Sequence, residues 1–77
     1  MTELIRPLTP TQARVAALVA KGYSYVRIGH ELAMSRHTAR FHVRCIATML
    51  DHYDPSLTAY KAVILWASRQ DFDASAT

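Results

Sequence analysis

Four times in this chain a helix-capping residue stands directly before a stretch with helical periodicity, and no strand-like alternation of polar and apolar residues intervenes. The four starts are Thr9-Pro10, Ser24, Ser35 and Asp54-Pro55. Side-chain oxygens at such positions accept from the free amides of a first turn. Proline fits the first helical position, where its missing N–H costs nothing. The chain is therefore read as all-α, with four helices.

Thr9 and Gln12 have capping-box spacing, and Leu8 ahead of them is placed to pack on the first turn. Val15, Ala16, Val19 and Ala20 form one apolar face, with Arg14 and Lys21 on the other side. Gly22 is a natural stop, and Lys21 suits the negative end of the helix dipole. The spacing predicts a second helix over about Tyr25 to Leu32, with Ile28 and Leu32 inward, then a tight connection at Ala33-Met34. A third helix is predicted from Arg36 to about Leu50. A fourth follows the polar loop Asp51 to Asp54, over about Pro55 to Arg69. Residues 1–7 form an N-terminal arm, residues 8–69 one domain, and residues 70–77 a small, acidic, flexible tail.

With 77 residues and 51% hydrophobic side chains, the chain is globular and has room for one domain. Cys45 is the single cysteine, so no internal disulfide staples the fold. The longest apolar run, Ala62 to Ala67, is far short of the roughly 20 residues that span a bilayer. No signal-peptide core stands at the N-terminus, so the expected location is cytoplasmic. The residues before Leu8 hold no sensor or receiver domain, so control by phosphorylation or a small ligand is not expected within this chain.

The charge is small in total and sharply placed. Nine Lys+Arg against six Asp+Glu give +3. Residues 32–50 hold three arginines and no acid, while the rest of the chain balances. On a helical wheel Arg36, His37, Arg40, Phe41, Arg44 and Thr48 share an arc of roughly 140°, and Ala39, Val43, Ile46 and Leu50 gather within roughly 60° elsewhere. Arg36, Arg40 and Arg44 repeat at i, i+4, i+8, a self-repelling row unless an anion answers it. Solvated charged faces ordinarily mix signs. The first turn carries Arg36 and His37 where the dipole favours acids, which an external anion at that end would explain. Arginine has the fork that reads guanine in a major groove, and one helix fits that groove. We read this face as a nucleic-acid surface.

A short helix, a tight turn and a longer basic helix is the helix-turn-helix order. Leu8-Thr9-Pro10, then Val19-Ala20-Lys21-Gly22-Tyr23-Ser24, Ile28, Leu32, and Ser35-Arg36-His37-Thr38-Ala39-Arg40-Phe41-His42 together resemble the LuxR/GerE-type DNA-binding domain, over about residues 8–67. The resemblance implies a stand-alone, sequence-specific transcription regulator that binds double-stranded DNA. It implies base contacts from Arg40, with Arg44 one turn on, and it puts Phe41 where a thymine methyl can meet it. It implies phosphate contacts from Thr38, with Arg36 and His37 beside it. Ser24 and Arg27 lie where the second helix would cross the backbone. The chain departs from the pattern at Gln12 for Glu, Gly29 for Ala, Ala33 for Gly and Asp51 for Gly, and its loop before the fourth helix is about four residues longer.

On the fourth helix apolar residues cover an arc of roughly 220°, where a one-sided helix needs about 100°. If Leu57, Tyr60, Ile64 and Ala67 fill the core, then Ala59, Ala62, Val63 and Trp66 remain as a patch that a symmetric homodimer would cover. In the resembled family this helix is also the dimer helix. Two-fold symmetry then predicts an inverted-repeat site with half-sites roughly 10 bp apart. The rival reading is a protein-interaction module like the promoter-binding end of sigma factors, with Trp66 docking on RNA polymerase or another regulator. No strand surface with stacking aromatics favours RNA.

His30, His37, His42 and His52 lack zinc-finger spacing with Cys45, so no metal or cofactor is expected. His42 is expected at the core edge with a ring nitrogen bonded to backbone or phosphate, and Cys45 as a small buried hydrophobe. Tyr23 and Tyr25 either touch phosphate or fill the space between helices. No arrangement of nucleophile, base or paired carboxylates suggests an enzyme.

Overall fold

The computed structural model describes residues 7–50 and 53–69. Expectations for residues 1–6 of the arm, for Asp51 and His52, and for the tail lie outside the described residues. Four helices run in the order α1 (Pro10–Ala20), α2 (Tyr25–Leu32), α3 (Arg36–Met49) and α4 (Ala59–Ala67). No strand occurs among the described residues.

The local start signals act as their chemistry requires. Thr9 Oγ1 accepts from the Gln12 amide at 3.2 Å while Gln12 Oε1 accepts from the Thr9 amide at 3.1 Å, a complete capping box. Ser24 caps α2 through the Arg27 amide, and Ser35 caps α3 through the Thr38 amide. Gly22 takes φ +82°, the left-handed region that ends α1.

The turn between α2 and α3 is held by an exchange of residue sizes. Ala33 sits left-handed at φ 55°, ψ 46°, where glycine is ordinarily preferred. Gly29, inside α2, takes the turn against its bare Cα, because a Cβ there would lie 2.5 Å from the Met34 carbonyl oxygen. The Met34 amide in turn donates to the Gly29 carbonyl at 2.9 Å.

Val15 and Val19 of α1, Ile28 of α2, Val43 and Ile46 of α3 and Val63 of α4 are fully enclosed. Each such side chain contributes about 1.5–3 kcal/mol relative to exposure. Leu8 packs on this core from the N-terminal side, and Leu32 is half-buried against it. The core stripe of α3 is the expected one, joined by Ala47 and Met49.

The fourth helix corrects the sequence reading twice. It begins at Ala59, not Pro55. Asp54 forms a local turn instead: its carboxylate accepts from the Ser56 amide at 2.9 Å and its carbonyl from the Leu57 amide at 3.0 Å. Thr58 is the cap, accepting from the Lys61 amide at 3.2 Å. An Asp-Pro pair serves a turn as well as a cap, and only the following geometry separates them.

The second correction concerns orientation. Ala62, Val63, Trp66 and Ala67 are the buried face of α4, with Val63 at 0% and Trp66 at 5% exposure. The patch expected for a homodimer, apart from half-buried Ala59, is therefore inside the domain. Trp66 is equally withdrawn from docking on another protein. The reason is packing: α4 lies against both α1 and α3, so a wide apolar arc is consumed within one chain. Leu65 is the large apolar side chain that α4 leaves exposed among the described residues. Tyr60 anchors the helix by donating its hydroxyl to the Tyr23 carbonyl at 2.8 Å.

Candidate nucleic-acid interface

The row of arginines stands out from the domain as a ridge. Arg36, Arg40 and Arg44 are all exposed, as are His37 and Thr38 at the start of α3. Phe41 is 61% exposed beside them, with no core role, and meets His42 edge-on at 5.8 Å. Its exposed ring gives the ridge an apolar surface beside the cations.

The ridge divides two clefts. On one flank His37, Arg40, Phe41, Arg44, Cys45 and Thr48 line a hollow of about 470 Å³. On the other, Arg36, His37, Arg40 and Arg44 face Tyr25 of α2 and the segment from Tyr53 to Tyr60, around a cavity of about 820 Å³. Among the described residues neither lining contains a carboxylate. Cations so placed have no answering charge among the described residues of these linings, and low-dielectric walls strengthen their field.

The Tyr25 ring belongs to the packing between helices. The ring packs edge-on against Tyr60 at 5.5 Å, 86° between planes. Burial raises its phenol above the ordinary value, and the Arg40 guanidinium opposes that shift. Tyr23 instead stacks under the Arg27 guanidinium at 4.1 Å, and Arg27 donates to its hydroxyl at 3.4 Å.

The candidate phosphate residues do not all gather in one place. Arg36 and His37 lie on the ridge. Thr38 Oγ1 accepts from the Ser35 hydroxyl at 3.0 Å, leaving its own proton to donate outward. Ser24 and Arg27 line a separate hollow with Val26, His30 and Glu31. Glu31 there weakens the attraction for an anion that Arg27 alone would exert.

His42 is half-buried at the core edge, and its buried Nδ1 has no hydrogen-bond partner among the described residues. Cys45 is half-buried, a free thiol at the edge of the smaller cleft. The described residues hold no group of three or more side chains able to bind a metal, and no helix among them is long and apolar enough to cross a membrane. The sequence reading missed Tyr53 and Thr58 as cleft residues. Their placement follows from the late start of α4, for which Thr58 was the local cap signal that the stronger Asp54-Pro55 pair masked.

Compared with known proteins, the chain matches no family model, no curated protein and no solved structure.

Proposed function

We propose that this chain is a helix-turn-helix module of the LuxR/GerE type, a cytoplasmic transcription regulator that binds double-stranded DNA with α3 in the major groove. The observation that carries this reading is the exposed row Arg36, Arg40, Arg44 with Phe41 beside it, flanked on both sides by linings without a carboxylate among the described residues. Arg40 and Arg44 read bases as bidentate donors, Phe41 covers a thymine methyl, and Arg36, His37 and Thr38 hold phosphates. Ser24 and Arg27 are secondary backbone contacts. The apolar patch on which a homodimer rested is internal, so the reading rests on the α3 face of each chain and not on that interface.

Selection from a random duplex pool followed by anisotropy titrations tests the reading. Affinity falls steeply with salt, with a slope of about −0.9 for each phosphate neutralised. Arg40→Ala costs about 1–3 kcal/mol and relaxes preference at one base position. Arg36→Ala weakens all duplexes alike and lowers the slope by about 1. A wild-type chain with no duplex affinity at low salt refutes the proposal.

A further inference from the structure

The larger cleft has two chemically different walls. One is the guanidinium ridge of α3. The other is the connection ahead of α4, with Tyr53 and the cap Thr58, closed at one end by Tyr25 against Tyr60. The second wall exists because Asp54 folds the chain into a turn and delays the helix to Ala59. The second wall is tied down by hydrogen bonds. Tyr53 donates to the Leu57 carbonyl at 3.4 Å, Thr58 caps α4, and Tyr60 is tied to Tyr23. The cleft is open to solvent, unlike a pocket that encloses a small molecule on most of its surface.

Resting on the DNA-binding reading above, we propose that this cleft receives one sugar–phosphate strand of the duplex, gripped between the α3 arginines and the connection ahead of α4. A helix lying in a major groove turns its ridge toward the bases and its flanks toward the two backbones. The flank bearing Phe41 is open on its outer side, whereas the flank bearing Arg36 is walled by Tyr53 and Thr58. Phosphates there meet the guanidinium groups on one side and, on the other, the Thr58 hydroxyl, whose proton is left free because its oxygen accepts from the Lys61 amide. The connection thus acts as a second backbone-holding element, and it sets on which side of α3 the strand runs.

Thr58 gives a test in which folding and binding separate. Thr58→Asp keeps the N-cap, since aspartate caps at least as well as threonine, yet it places a carboxylate in the cleft. Thr58→Ser keeps the cap without the charge. Thermal melts establish that both fold, and Ala59→Glu, an acid suited to a first turn, delivers the same charge should Thr58→Asp not fold. Anisotropy titrations with a selected site and with random duplex then give the answer. The expected result is wild-type affinity for Thr58→Ser and at least about a tenfold loss for the acidic variant on both duplexes, shrinking as salt rises. Unchanged affinity of the folded acidic variant, or a loss confined to one base position, overturns the strand placement while leaving DNA binding by α3 intact. A wild-type chain that binds neither duplex refutes the functional reading itself.

Discussion

Adding one methyl group at Gly29 is expected to destabilise the domain although alanine is the better helix former. An ideal Cβ there would lie 2.5 Å from the Met34 carbonyl oxygen, 3.3 Å from the Ser35 carbonyl carbon and 3.4 Å from the Arg36 amide nitrogen. All three are backbone atoms of the turn into α3, so none can swing aside as a flexible side chain would. Overpacking of this kind costs about 1–3 kcal/mol, and the rigid neighbour puts it at the upper end. Helix propensity returns about 1 kcal/mol, leaving a net loss of about 2 kcal/mol. For a domain of this size that lowers Tm by about 8–16 °C. Ala33→Gly works in the opposite direction. It relieves a left-handed strain of about 1–2 kcal/mol against an entropic cost of about 0.5–1 kcal/mol, so the melt rises by a few degrees. Far-UV circular dichroism melts of the two single variants and the double variant measure both effects, with coupling expected because the residues share one turn. A Gly29→Ala chain melting at or above wild type would refute the argument, because helix propensity would then outweigh the close approach.

Three further outcomes follow from the packing. Trp66→Ala and Val63→Asp are expected to unfold or nearly unfold the chain, since truncating a buried Trp alone costs about 3–5 kcal/mol of a total near 0.05–0.15 kcal/mol per residue. Urea titration reads this, and a folded, stable Val63→Asp chain would mean that the α4 face points outward after all. Tyr60→Phe removes only the hydroxyl that donates to Tyr23 at 2.8 Å. It should cost about 1 kcal/mol and lower Tm by about 4–8 °C without loss of helicity. The Ser56 amide holds the Asp54 carboxyl below its usual range. Its contribution to stability is therefore complete above the unfolded value of about 3.9 and is lost as pH falls through the lowered folded value. Asp54→Asn should flatten that acid limb of a Tm-against-pH curve, and an unchanged limb would argue against the turn.

The parts of this protein legible in the amino-acid order are those governed by neighbours within about four residues. Thr9, Ser24 and Ser35 begin helices because a side-chain oxygen can reach an amide three residues on, whatever surrounds it. The α3 core stripe and the arginine row follow from helical geometry alone, and so does the grouping of charge that supports a nucleic-acid reading. The fourth helix shows where such reasoning ends. Asp54-Pro55 satisfies the local rules for a cap and for a turn equally, and the choice fell to the turn because Leu57 closes onto Asp54 and Thr58 supplies the cap.

An arc of apolar residues wider than one interface requires does not say how many interfaces the helix will meet. Contact with both α1 and α3 consumed Val63 and Trp66, which a one-sided helix would have left for a partner. The bare Cα of Gly29 reads in sequence as a weakness in α2, and only the turn packed on it makes it a requirement. The second wall of the larger cleft likewise joins Tyr25 to Tyr53 and Thr58, residues far apart along the chain. Local order thus determined the first three helices and the charge. Tertiary structure alone decided which faces meet, because burial depends on neighbours that only the folded chain brings within van der Waals reach.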